Sequence, residues 1–220
     1  MPRAGLSPDV VVGLAVDVVD DDGWDDLTLA AVAARAGVAV PSLYKHVAGL
    51  TALRRAVASV CVDELVERMT RARADLVGAA ALLAMAHATR DLAREHPGRY
   101  QAIQGDWGGR HSKGPESDSH FGTATTPSGP PAPRGTAAAT DLHARAARAV
   151  DLMAAAVAEL DVPAERRIDA VRAIRAAVHG FVLLELAGGF GMPQDVDTSF
   201  DYLITHLTSG LHHPTAELEG

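Results

Sequence analysis

The stretch Leu27 to Leu53, LTLAAVAARAGVAVPSLYKHVAGLTAL, confines this chain to few folds, because it reads as a helix, a glycine-stopped turn and a second short helix. Thr28 is placed to cap a helix in which Leu29, Val32 and Ala33 recur at helical spacing, and Gly37 marks its end. Only Val38 and Ala39 intervene before Pro41, whose fixed φ suits a first helical position, and Leu43 and Val47 then share one face at i, i+4. A short turn containing glycine between two short helices is the sequence form of a helix-turn-helix, although any helical domain can contain such an αα-hairpin.

The outward residues of the second helix decide what such a hairpin could touch. They are Val40, Pro41, Ser42, Tyr44, Lys45 and His46. Ser42 suits base edges or phosphates, Val40 and Pro41 suit a thymine methyl, and Tyr44, Lys45 and His46 can donate to phosphate oxygens. With no arginine among them, bidentate guanine readout is not expected. The chain carries a formal charge of −8, yet Thr28 to Arg55 holds Arg35, Lys45, Arg54 and Arg55 and no Asp or Glu. An acid-free window in an acidic chain suggests a phosphate-facing surface. The acidic run Asp20 to Asp22 reads as a solvated connection turned away from phosphate.

LTLAAVAARAGVAVPSLYKHVAGLTAL resembles the DNA-binding domain of the tetracycline-repressor (TetR) family of bacterial transcriptional regulators. The resemblance is close over about the first sixty residues and implies an all-α fold. Three N-terminal helices would meet double-stranded DNA, and a larger helical domain would take a small-molecule effector and form a homodimer. Carried over residue by residue, Thr28 would meet phosphate, Val40, Pro41, Ser42 and Lys45 would face bases, and Tyr44 and His46 would touch the backbone, with Leu29, Val32, Ala36, Leu43 and Val47 in the core. Gly49 and Leu50 stand where the family often has Ser or Asn and then Lys. RAAVHGFVLLELAGGFG, Arg175 to Gly191, more weakly resembles a TetR-family C-terminal domain with a Trp-His-Gly signature. His179 and Gly180 are in place; Arg175 occupies the position expected for the tryptophan. On an apolar helix His179 reads as a satisfied core histidine.

The rest of the chain reads as helix after helix. Ser7 and Pro8 open a first helix with Val10, Val11, Leu14, Ala15 and Val18 on one face, closed by Gly23. Leu53, Val57, Val60, Cys61, Leu65 and Met69 predict a long fourth helix, Leu82 to Ala93 a fifth stopped at His96 and Pro97, and Arg99 to Gln104 a short sixth. Gly105 to Thr140 then holds 21 Gly, Pro, Ser or Thr in 36 residues, which predicts a flexible loop. It reads either as an insertion without a role or as a flap with Trp107 and Phe121 as lid residues. A helix resumes from Leu142 to Leu160. The domain division expected is 1–50 for DNA, 51–211 for regulation and dimerisation, and 212–220 as a tail.

The last two helices are apolar enough to suggest assembly. Ile174 and Val178 on one, with Phe200, Leu203 and Leu207 on the next, are the expected homodimer interface, completion of the chain's own core being the alternative. Met85, Thr89, Tyr100, Met153, Phe181 and Glu185 are the candidate ligand-pocket residues, and plain core packing is the competing reading for each. Glu185 is the most informative, since a carboxylate in an apolar helix must pair with an arginine or face solvent.

Hydrophobic residues make up 48% of the 220, enough for a sizeable core. The longest apolar run near the start, VVVGLAV, is too short to span a bilayer, and no signal-peptide pattern precedes it, so the chain is expected in the cytoplasm. The one cysteine, Cys61, falls at an apolar helix position and is expected in the core. No HExxH, CxxC, GxSxG or GxGxxG occurs, and the ten histidines scatter, with His212 and His213 in the tail. Neither catalysis, a metal nor a cofactor is therefore implied. The alternative of a helical ligand-binding or assembly protein without specific DNA binding draws on the sparse N-terminal charge and the missing lysine before the fourth helix.

Overall fold

The structure, a computed structural model, describes residues 5–105 and 137–211, and every regular element among them is helical. Helix α1 spans Pro8–Asp22, α2 Leu29–Ala36, α3 Val40–Leu43, α4 Leu50–Arg73, α5 Gly78–Glu95, α6 Pro97–Gly105, α7 Ala137–Ala158, α8 Arg167–Leu186 and α9 Val196–Gly210, with a 3₁₀ turn at Ala164–Arg166. Trp107, Lys113, Phe121, His212 and His213 lie outside the described residues. Both ends of the span 105–140 are helical, in α6 and α7.

Local chemistry sets the element ends. The Ser7 hydroxyl accepts from the Val10 amide at 3.2 Å, Pro8 fills the first turn of α1, and Gly23, at φ 98°, ends it in a conformation costly for other residues. Asp195 caps α9 by accepting from the Thr198 amide at 2.7 Å. The run Asp20 to Asp22 is the last turn of α1 rather than a connection; arginines reaching in from α2 and α6 offset three adjacent acids at a helix C-terminus, where the dipole disfavours them.

Helix α4 ties the molecule together, packing against α1 at its N-terminal half and against α5, α6 and α7 beyond it. A single apolar cluster runs from Val11, Leu27, Val32 and Leu43 through Leu53, Val57, Cys61 and Met85 to Val182, Phe200 and Ile204. Cys61 is fully buried, and burial pushes its thiol up to about 12, so it packs as a small apolar group. No described helix is long and apolar enough to cross a membrane.

Candidate functional site

The N-terminal three helices present one compact outward feature. Thr28 Oγ1 accepts from the Ala31 amide at 3.1 Å and starts α2. Gly37 stops it in the left-handed region, φ 66° and ψ 32°, while the Val38 amide reaches back to the Ala33 carbonyl at 3.0 Å. Ala39 is extended, and α3 lasts only from Val40 to Leu43. The chain then turns, with the His46 and Val47 amides both donating to the Leu43 carbonyl at 2.8 and 3.0 Å. Leu43 is fully buried and anchors the turn. Around it, Thr28, Pro41, Tyr44 and Lys45 are exposed, and Val40, Ser42 and His46 are half-buried. Tyr44 is 58% exposed, a ring left in solvent beside an available core.

The basic residues of the acid-free window divide differently from the expectation. Arg35 donates to Asp21 at 2.7 Å and lies near Asp22 at 3.7 Å, so α1 neutralises it. Arg54 turns inward, donating to the Leu27 and Asp25 carbonyls at 3.3 and 3.4 Å with its guanidinium 5.4 Å from the Trp24 ring. Lys45 keeps an outward position on the recognition turn. Sequence window and spatial surface differ here because the acids that pair Arg35 come from the preceding helix. Gly49 adopts φ 123°, a region in which the Ser or Asn expected by resemblance would be strained.

A second feature lies within the helices from α4 onward. Side chains of α4, α5, α6, α7 and α8 enclose a cavity with about 70 Å³ of free interior, apolar along Met69, Leu82, Met85 and Met153. Thr89, Tyr100, Gln104, Arg175 and His179 supply its polar groups. Tyr100 Oη and His179 Nδ1 are hydrogen-bonded at 2.9 Å. Burial pushes the Tyr100 phenol up to about 12, and burial followed by the Arg175 charge holds the His179 ring below its ordinary value. At neutral pH both groups are therefore uncharged. The Thr89 hydroxyl is committed to the Met85 carbonyl at 2.9 Å.

Of the residues selected for a pocket, Met85, Thr89, Tyr100 and Met153 meet at this cavity, and Phe181 and Glu185 do not. The Phe181 ring lies tilted 4.5 Å from Phe190 and edge-on 5.0 Å from Phe200. Glu185 accepts from Arg90 at 2.7 and 2.6 Å, and Asp197 accepts from the same guanidinium at 2.6 Å. Arg90 is 1% exposed and lies over the Phe200 ring at 4.9 Å. Its presence is what lets a carboxylate sit in α8. Sequence reasoning asked for an arginine partner but had no means to choose Arg90 among the arginines of α5. It also passed over Arg175 and His179 as cavity residues, although their i, i+4 spacing on an apolar helix puts both on one face.

The residues expected at a dimer interface divide by burial within the chain. Ile174, Val178 and Phe200 are buried within the chain itself, the first two as cavity wall, and only Leu203 and Leu207 are half-buried at the flank of α9. An apolar stripe records that a face is covered, not by which partner. The outward face of α8 instead carries Ala173, Ala176, Gly180, Leu183 and Leu184. Among the described residues, no three His, Cys, Asp or Glu side chains come together to hold a metal ion.

Helix α6 joins the two features. Arg99 donates to Asp20 at the end of α1 and, at 2.7 Å, to Glu64 of α4, while Gln101 donates to Asp25 at 3.1 Å. Although burial opposes it, the hydrogen bonds and charge of Arg99 hold Asp20 and Glu64 below the usual carboxylate range, with Arg68 contributing at Glu64. A Cβ on Gly98 would sit 2.3 Å from the Val19 carbonyl oxygen, so α6 touches the backbone of α1. The intervening Tyr100, with Ile103 and Gln104, faces the cavity.

Comparison with known proteins agrees with this division. Residues 12–57 match the family described as bacterial regulatory proteins, tetR family, and residues 82–207 match the tetracyclin repressor-like C-terminal domain. An HTH-type transcriptional regulator of Mycobacterium tuberculosis is 33% identical over 214 residues, covering 96% of this chain and 84% of its own. A second HTH-type regulator, from Bacillus subtilis, is 28% identical and covers 96% and 95%. Among solved structures, a Rhodococcus protein of unknown function superposes with a TM-score of 0.73 at 21% identity, covering 97% of this chain and 100% of its own. A TetR from Acinetobacter baumannii does so at 0.60 and 18%, covering 94% and 96%.

Proposed function

Because the chain belongs to the TetR family and is a DNA-binding transcriptional regulator, we propose that it acts as a homodimeric, ligand-responsive repressor on a palindromic operator. The observation that carries this reading is the recognition turn, in which a fully buried Leu43 holds Pro41, Tyr44 and Lys45 outward with Val40, Ser42 and His46 beside them. Val40, Pro41, Ser42 and Lys45 read bases; Thr28, Tyr44 and His46 hold phosphates.

Two copies meet through the outward faces of α8 and α9. Ala173, Ala176 and Gly180 let helices approach closely, Leu183 and Leu184 supply apolar area, and Leu203 and Leu207 close the flank. The cavity of residues 51–211 receives the effector, and residues 1–50 hold the DNA. Helix α6 couples them, since whatever displaces Tyr100 or Gln104 also loads Gly98, Arg99 and Gln101 against α1. An effector acts only through its preference for one head spacing over the other. Transcription control places the protein in the cytoplasm.

The test is a gel shift of the full chain with the DNA flanking its own gene, repeated at rising salt beside random DNA. Retention of the flanking DNA over random DNA supports the regulator. Equal retention of both supports instead a helical ligand-binding or assembly protein.

A further inference from the structure

The cavity has a chemistry of its own that bears on the kind of molecule it admits. None of its seventeen described lining residues is Asp or Glu, and one, Arg175, is a permanent cation. A cationic ligand would enter without a counter-charge among the described lining residues and next to a guanidinium that repels it. Arg175 has other contacts as well, but a guanidinium carries five N–H donors and can be shared.

The neighbouring pair adds a donor whichever way its proton lies. If the Tyr100 hydroxyl donates to His179 Nδ1, the ring proton remains on Nε2; if Nδ1–H donates to Tyr100, the hydroxyl proton is left over. The Gln104 amide brings two more N–H groups to the same lining. Raised phenol and lowered imidazole values keep the pair neutral, so it offers hydrogen bonds without a second charge. Away from this end the wall is aliphatic and thioether, and Met69, Met85 and Met153 can shift to follow a ligand's outline. A free interior of about 70 Å³ is about half of the roughly 150 Å³ that holds benzene, so a slender ligand enters only as these methionines move aside.

We infer that the cavity takes a small amphipathic monoanion, its carboxylate held by Arg175, Tyr100 or His179, and Gln104, its apolar body lying along Met69, Met85 and Met153. This rests on the reading of the cavity as the effector site. An anion with this head meets the donors and shares the guanidinium at once, whereas an alcohol meets the donors alone and an amine opposes the charge.

The test is calorimetric titration of the full chain with octanoate, octan-1-ol and octylamine as probes. Octanoate binds about tenfold or more tighter than the alcohol, the size expected for hydrogen bonds to a charged group, and the amine gives no measurable binding. Arg175→Gln, at an exposed position of α8, removes the preference for the acid and leaves the alcohol affinity where it was. Equal affinities for the three probes, no binding of octanoate, or an acid preference that survives Arg175→Gln would overturn the ligand class. A parallel gel shift separates the two readings. Acid-selective binding without any change in DNA retention upholds the ligand class and removes the effector role; release of DNA by octylamine alone removes the class and upholds the role.

Discussion

Arg90 and Glu185 illustrate how a single buried charge constrains its surroundings. Neither could be buried alone, but a two-pronged contact at 2.7 and 2.6 Å, with Asp197 at 2.6 Å and the Phe200 face at 4.9 Å, satisfies both. Asp197 is largely exposed and contributes less than Glu185. Arg90→Met is expected to cost about 3 kcal/mol in urea unfolding, because it strands Glu185, and adding Glu185→Leu recovers most of that loss. A single-variant cost under about 1 kcal/mol would mean that the cluster is solvated. His179 gives a pH signature of opposite origin. Its folded-state value lies below the ordinary 6.5, so under pH 6.5 the unfolded chain binds a proton that the folded chain resists. Stability therefore falls as pH drops through that value. His179→Gln flattens the decline in melting temperature between about pH 7 and pH 5, a window above that in which the depressed carboxylates Asp20 and Glu64 titrate.

Among the elements, α6 has the shape of a coupler because its consecutive residues belong to different halves. Gly98→Ala puts a methyl against the Val19 carbonyl at 2.3 Å, a backbone contact that cannot rotate away. About 1–3 kcal/mol of stability is lost, read in the same urea experiment, and α1 and α6 separate. A neutral Gly98→Ala would mean that the α1–α6 approach gives way without cost. Most elements were legible beforehand for local reasons: Ser7 with Pro8, Thr28, Gly23 and Gly37 are end signals whose hydrogen bonds lie within a turn of the residue itself. The recognition turn was legible too, since the α2 and α3 spacing depends on few residues. What could not be read was pairing at a distance. Asp21 reaches Arg35 across 14 positions and Glu185 meets Arg90 across 95, and no local pattern encodes either. The apolar stripe of α8 likewise gave burial without a partner, leaving a second copy and the chain's own core both open for Ile174 and Val178, which are buried at the cavity wall.

At the scale of the whole molecule, a chain of net charge −8 has to bring an acidic body to an acidic polymer. With Arg35 and Arg54 turned to internal partners, Lys45 is the exposed cation of the recognition turn. Lys45→Ala should lower affinity for the operator more than for random DNA, because Lys45 faces bases, and, as the loss of one cation from each head, also reduce the slope of log affinity against log salt by about 2 in a dimer. Tyr44→Phe should weaken binding with no change of slope, since a phenol contact releases no counterion, and both variants keep their helical content. The proposed homodimer is the remaining point to test, since two heads fixed a helical turn apart would bind as one unit. Leu183, 47% exposed on the outward face of α8, tests it. Leu183→Asp places a carboxylate opposite its own symmetry mate at a two-fold seam, so it costs the interface twice while leaving the buried faces of α8 intact. The expected result is a monomer by light scattering with an unchanged circular dichroism spectrum and operator affinity reduced by about 100-fold or more. A variant that remains dimeric would move the seam away from α8; a monomer that binds operator as well as wild type would mean that each head acts alone.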